Sequence, residues 1–320
     1  MRKEEFYYDS RDGQTRIHAV RWIPDKEVRC VLQIIHGMAE YVERYERLAG
    51  VLTKAGILVT GEDHLGHGKS LYGRADGQEG CDIGHPLGYF CAQDPVSAAV
   101  EDVHSLKKIT QKQYPAIPYL ILGHSMGSFM LRNYLCQYGN GIDGAIVMGT
   151  GMMPLPVIKL AKGLAKTIAA LRGEKHPGML LNAAAFGTYN RKIKHPHTPM
   201  DWLSSDTAEV DKYVKDELCG FCFTVNGFMT LFELINRLHN KEMLLKMPGE
   251  LPVFFVSGDC DPVGDYGKAV VNVADSFLAL GMQKVTCKIY PGMRHEILNE
   301  RGREAVEQDI LQWITETADL

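Results

Sequence analysis

Apolar positions recur along this chain in two rhythms, and the rhythms alternate. Residues 29–35, 57–60, 119–122, 144–150, 251–258 and 285–290 are short apolar runs bounded by glycine, proline or charge, the pattern of buried strands. Between them, apolar residues return every three or four positions. One such face is Tyr45, Leu48, Ala49, Leu52 and Ala55; a second is Val96, Ala99, Val103, Leu106 and Ile109. Others run from Phe129 to Tyr138, around 266–280, and through Ala305, Ile310, Leu311 and Ile314. Ahead of all of these, residues 6–9 and 15–23 flank Asp12-Gly13, which predicts an antiparallel hairpin at a sheet edge. Residues 71–91, rich in glycine and charge, read as a surface excursion. Strand and helix in alternation predict an α/β fold, with a mostly parallel sheet covered by helices on both faces.

The alternation breaks once. Residues 151–247 hold helical patterns and no clear strand, so the expected organisation is a core of 1–150 and 248–320 with a helical lid or cap inserted at 151–247. Its place after a central strand puts it over the strand C-termini, where such sheets bind ligands. Within it, Lys159, Lys162 and Lys166 share one helix face, while Leu160, Leu164, Ile168 and Leu171 line another. Two readings follow: a lid helix that touches acyl chains or a lipid surface, or a cap helix packed on the core.

Composition narrows the classes. A net charge of −4 with no basic stripe gives no sign of nucleic-acid binding. No stretch approaches the roughly 18 apolar residues of a membrane span. Met1-Arg2-Lys3 runs directly into Glu4-Glu5 without a signal-peptide core, so a cytoplasmic location is the expectation. The eight cysteines are scattered. Cys30, Cys136 and Cys287 read as reduced core thiols, and Cys219-Gly-Phe-Cys222 as structural cysteines, because no second pair completes a metal or redox motif.

The chemistry concentrates at Gly123-His124-Ser125-Met126-Gly127, a G-x-S-x-G between an apolar strand and a helical pattern. Strand, tight turn and helix present a serine hydroxyl above a sheet, and glycines on either side let strand and helix approach. The Met126 N–H then lies at a helix N-terminus, free to hold an oxyanion. The alternative is a serine that merely caps the helix. A serine nucleophile needs a base and an orienting acid, in the chain order Ser, Asp or Glu, His. The loop after residues 251–258 offers Asp259, Asp261 and Asp265, and the loop after 285–290 offers His295. The second oxyanion donor is expected from His36-Gly37-Met38, through the Met38 N–H. His295-Glu296 lacks the second histidine of a zinc helix, and Gly68-Lys69-Ser70 lacks the upstream glycine of a phosphate loop.

Taken together, His36-Gly-Met-Ala-Glu40 with Arg44-Tyr45, Asp63 to Ser70, Gly123 to Gly127, Gly258-Asp-Cys-Asp261-Pro-Val263 and Tyr290 to His295 resemble the monoacylglycerol lipase / lysophospholipase group of serine α/β-hydrolases. The resemblance spans about residues 15–318, loosely over 151–247. It implies an α/β-hydrolase fold, Asp261 as the acid, and Met38 and Met126 at the oxyanion positions. It also implies medium-to-long acyl esters as substrates, with no metal or cofactor required. Asp63 to Ser70 falls on a loop that braces the edge of the site. The group often has glycine where Ala39 or Ser128 stands, which bears on the shape of the acyl mouth. Aminopeptidase and acyltransferase chemistry can use the same triad, and Glu209, Asp211, Asp216 and Glu217 are acids that could capture a free amine. A binding module without catalysis is a further alternative. Dehalogenase and epoxide hydrolase readings fail, since both need aspartate at position 125.

Overall fold

The computed structural model describes residues 1–72 and 86–320. Among these residues, eight strands form one sheet: β1 (Arg2–Asp9), β2 (Arg16–Ile23), β3 (Cys30–Ile35), β4 (Ile57–Glu62), β5 (Tyr119–His124), β6 (Gly144–Met148), β7 (Val253–Gly258) and β8 (Val285–Tyr290). Their order across the sheet is β1-β2-β4-β3-β5-β6-β7-β8. The β1–β2 and β2–β4 pairs are antiparallel and the rest parallel. Among the described residues, ten α-helices accompany it: α1 (Glu46–Lys54), α2 (Pro95–Gln113), α3 (Met126–Tyr138), α4 (Leu155–Arg172), α5 (Met179–Phe186), α6 (Thr207–Lys215), α7 (Val225–Arg237), α8 (Lys241–Leu244), α9 (Lys268–Ala279) and α10 (Arg303–Thr317).

The central strands carry side chains that bury on both faces, which is why they read as continuous apolar runs. Ile35, Leu58, Ile121 and Val147 enter one core with α2, α3 and α9. Leu32, Val59, Leu122 and Ile146 enter the other with α1 and α10. The hairpin is where the pattern placed it, but β1 starts at Arg2 rather than Phe6. Charged residues at 2–5 hid the strand; they suit an edge, where they discourage pairing with another chain. Two other expectations change. Cys287 lies exposed on the edge strand β8. Of the 71–91 excursion, residues 73–85 fall outside the described residues, while Tyr89, Phe90 and Cys91 are buried. In α4 the buried residues are Ile158 and Ala165, while Leu160 and Leu171 are 76% and 77% exposed, so the leucine face points to solvent.

The hairpin is anchored to the core through buried acids. The Tyr8 hydroxyl donates to Glu62 Oε2 at 2.6 Å, and the Ser10 hydroxyl and Arg11 N–H both donate to Asp102 at 2.7 Å. Burial is the chief reason that the Asp102 pKa is raised to about 7. The protonated form is therefore favoured by folding, and its contribution is lost as pH climbs from the unfolded value near 3.8 to about 7. Relative to wild type, Asp102→Asn is expected to become progressively more stable over that window. Urea unfolding at pH 4.5 and pH 8 measures it; a difference that does not grow with pH would count against a buried, titrating Asp102.

Candidate active site

The elbow is held by crowding. Ser125 links β5 to α3 at φ 53° and ψ −118°, a costly conformation for a residue with a side chain. A Cβ at Gly123 would lie 2.4 Å from the Gly127 carbonyl oxygen. One at Gly127 would lie 2.1 Å from the Ile35 oxygen and 2.5 Å from that of His36. The two glycines thus let the start of α3 press on the end of β3, and the Ser125 N–H is tied to the Met148 carbonyl at 3.0 Å. The Ser125 side chain does not cap α3.

Instead it meets His295. Asp261 Oδ2 lies 2.9 Å from His295 Nδ1, and His295 Nε2 lies 2.8 Å from Ser125 Oγ. An ionised carboxylate only accepts, so Nδ1 holds the imidazole proton and Nε2 accepts from the serine hydroxyl. Asp261 is itself fixed, accepting from the Val263 N–H at 2.8 Å and the Ser257 hydroxyl at 3.1 Å. Asp259 is used differently: it accepts from the Gly292 N–H at 2.7 Å and so shapes the turn after β8. Asp265 reaches the cavity wall, but not the imidazole.

Met38 and Met126 line the same cavity, and among the described residues their N–H groups make no hydrogen bond. Gly37 brings the Met38 loop close: a Cβ there would be 3.2 Å from Ser125 Cβ. Next in line, Ala39 takes the left-handed conformation at φ 53°. Its N–H donates to His67 Nε2 at 3.3 Å, and its carbonyl accepts from the Tyr213 hydroxyl and the Gly220 N–H, each at 3.0 Å. Below it, the His36 and His64 rings stack 3.8 Å apart. Burial first of all lowers His36 to about 3 and His67 to about 4, so both stand neutral at ordinary pH. Asp63 braces the edge, accepting from the Val42 N–H at 2.9 Å and the Lys69 N–H at 2.8 Å.

The cavity holds about 620 Å³. Its walls are mostly apolar, with Phe129, Met152, Met153, Leu231, Phe232 and Ile235 among them. An aromatic group from the helical stretch between β6 and β7 adjoins the imidazole. The Trp202 ring lies 5.1 Å from that of His295 and stacks on Phe186, with Tyr189 edge-on at 4.9 Å. Glu209, Asp211, Asp216 and Glu217 are not among the lining residues. Glu209 pairs with Lys212 and Arg303, and Asp216 accepts from the Tyr41 hydroxyl at 2.8 Å.

Sequence reasoning missed two groups. Trp202 and Tyr189 of the aromatic wall lie in the stretch of loosest pattern, and no spacing marks them, whereas Phe186 reads as an apolar side chain suited to an acyl tunnel. A buried charge cluster behind the site, Glu40, Arg44, His124 and Glu296, left a fainter signal. It consists of ionisable residues next to the oxyanion, serine and histidine motifs, where solvated loops would have no need of them.

A sheet of this order with a serine elbow, an acid loop after β7 and a histidine loop after β8 defines an α/β-hydrolase. The chain belongs to the family described as "Serine aminopeptidase, S33", whose model matches residues 26–302. It is 27% identical to the monoacylglycerol lipase of Mycolicibacterium smegmatis, over 94% of each chain. It is 25% identical to the human monoglyceride lipase, over 92% of this chain and 85% of that one. Among solved structures it resembles a thermostable carboxyl esterase from Bacillus coagulans. That match has a TM-score of 0.89 at 30% identity and covers 99% of both chains. The protein is thus a monoglyceride lipase-like α/β-hydrolase. Among the described residues, no helix is long and apolar enough to cross a membrane.

Proposed function

We propose that this protein is a serine hydrolase of carboxylic esters, acting on monoacylglycerols, lysophospholipids or similar acyl esters through an acyl-enzyme on Ser125. The observation that carries the reading is the continuous relay from Asp261 through His295 to Ser125 on the floor of a large apolar cavity. Ser125 Oγ attacks the ester carbonyl as His295 Nε2 takes its proton. Asp261 keeps the imidazole oriented and stabilises its charge. The Met38 and Met126 N–H groups receive the oxyanion, His295 returns its proton to the leaving alcohol, and water then releases the acid by the reverse route. A cavity of about 620 Å³ falls in the range of drug-sized ligands and suits an acyl chain. Relatives named as monoacylglycerol lipases and an esterase support the ester reading over the peptidase one. So does the engagement of Glu209 and Asp216, two of the acids that an amine-capturing site would use.

The test is hydrolysis of p-nitrophenyl esters from acetyl to palmitoyl. The apolar lining predicts that kcat/KM rises with chain length beyond acetyl. A flat profile, with cleavage of aminoacyl amides, would replace the ester reading by the peptidase one.

The helical stretch between β6 and β7 is read as a lid that also meets a lipid surface. Residues 151–199 carry eight Lys or Arg against one acid, Glu174, which is +7 in a chain of −4, leaving −11 on the remainder. The same stretch exposes Val157, Leu160, Leu171, Met179 and Leu180. Exposed apolar residues amid cations suit an anionic interface. Co-sedimentation with vesicles containing phosphatidylserine is expected and should weaken with salt. Leu160→Asp with Leu171→Asp should abolish it while sparing hydrolysis of a soluble ester. Equal sedimentation of that variant would refute the surface.

A further inference from the structure

Four ionisable groups lie buried together behind the candidate catalytic groups. Arg44 presents its guanidinium fork to Glu296, with Nη1 2.8 Å from Oε1 and Nη2 2.7 Å from Oε2. The same Nη1 donates to Glu40 Oε2 at 2.7 Å. Glu40 Oε1 accepts from the Gly37 N–H at 2.6 Å and the Tyr45 hydroxyl at 3.1 Å, and lies 3.1 Å from His124 Nδ1. His124 Nε2 faces the His295 carbonyl oxygen at 3.4 Å. The side chains of Arg44, Glu40 and Glu296 are only 13%, 4% and 7% exposed. Charges so buried persist only when each is paired and hydrogen-bonded.

Their places in the chain matter more than their number. Glu40 belongs to the loop that carries the Met38 N–H. His124 precedes Ser125, and Glu296 follows His295. The cluster therefore joins three loops that the fold brings from the ends of β3, β5 and β8, and among the described residues no backbone hydrogen bond links the first to the last. Removal of Arg44 would leave two carboxylates without their shared cation. Burial pulls His124 down, yet the Glu40 carboxylate outweighs it and raises the ring's pKa. The Asn299 amide also donates to Glu296 Oε2 at 2.9 Å, and the Glu296 N–H donates to the Leu203 carbonyl at 2.7 Å. The carboxylate is thus held from both directions.

We infer that Glu296 is a positioning residue, which through its bidentate pairing with Arg44 fixes the His295 loop against the oxyanion loop. It touches no reacting atom. It sets the distance between the group that moves the proton and the N–H groups that receive the charge. A planar fork is required for this, because a point cation would neutralise both carboxylates without fixing their angle.

The inference rests on the proposed roles of Ser125 and His295, so its test avoids any particular ester. The probe is a fluorophosphonate, whose capture by Ser125 needs nucleophile, base and oxyanion donors but no acyl specificity. Second-order labelling rates are compared per folded molecule, with folding verified by far-ultraviolet circular dichroism. Glu296→Gln keeps the shape and removes the charge. Arg44→Lys keeps the charge and removes the fork. Both are expected to label about 10²-fold more slowly, the scale of an ångström-sized misplacement. Glu304→Gln, at the surface pair of Arg47, is the control and should label at the wild-type rate. With p-nitrophenyl butyrate the loss should fall on kcat and leave KM nearly unchanged, whereas a loss of folded protein alone would leave kcat per labelled site intact. Folded Arg44→Lys that labels like wild type would overturn the inference, even if Glu296→Gln does not fold. Wild type that labels normally but cleaves no ester would sink the ester reading alone.

Discussion

Ser125→Ala is expected to reduce turnover of an optimal p-nitrophenyl ester about 10⁶-fold, while substrate binding and thermal stability stay close to wild type. The hydroxyl makes no cap to α3, so its loss removes no structural hydrogen bond from the helix; its partner is His295 at 2.8 Å. Alanine also fits the crowded elbow, since the Cβ is already there. The residual rate should still exceed the uncatalysed one, because the Met38 and Met126 N–H groups stay in place. A further test lies in non-additivity. His295→Ala should cost about as much as Ser125→Ala, and the double variant little more than either, since the two side chains form one relay. Steady-state kinetics per folded molecule, with folding verified by circular dichroism, read all three. Full activity in Ser125→Ala would remove the acyl-enzyme from consideration, and strictly additive losses would show that the groups act separately.

Asp261→Asn should lower kcat about 10⁴-fold with the fold intact. The aspartate is fully buried and receives hydrogen bonds from Val263 N–H, Ser257 hydroxyl and His295. Asparagine keeps the shape but brings an NH₂ donor among donors. The amide oxygen is expected to serve Val263 N–H, which leaves the NH₂ toward the imidazole and forces its proton to Nε2, where it can no longer accept from serine. The check is kcat across pH 6–9 for Asp261→Asn beside Asp259→Asn. Asp259 shapes the turn after β8 and is expected to cost stability more than rate. A larger kinetic loss at Asp259 than at Asp261 would reassign the acid.

Much of this architecture was legible in the chain because its determinants are local. Buried parallel strands write themselves as apolar runs, and the elbow must carry glycine where a Cβ would strike the Ile35 carbonyl. The acid was not legible in the same way. Asp259, Asp261 and Asp265 share one loop, and only the geometry brings Asp261 to the imidazole, as the resemblance to known lipases implied. The helix α4 stayed open between two readings for a physical reason. A stripe of leucines ordinarily marks the buried side, and here Ile158 and Ala165 are buried while Leu160 and Leu171 face outward. Periodicity reports that a helix has two faces; it does not say which one the protein covers. The charge cluster joins residues up to 256 positions apart, Glu40 to Glu296, and its pairing exists only once the loops meet.

The two clasps on the Ala39 carbonyl bear on how such enzymes can be rebuilt. Both donors, the Tyr213 hydroxyl and the Gly220 N–H, come from the stretch between β6 and β7. Arg294, beside the imidazole, donates into that stretch at the Asp201 and Ser204 carbonyls, at 2.6 and 2.8 Å. The far part of the stretch, from about 200 to 220, is therefore tied into the loops that carry the proposed catalytic groups and is not a cover laid on them. A chimera that exchanges everything between the two strands would discard the clasps with the cover and distort the loop of Met38. The natural cassette for transplanting substrate preference from a relative is shorter. It runs from Pro154 to about residue 199, and ends before the first of these ties.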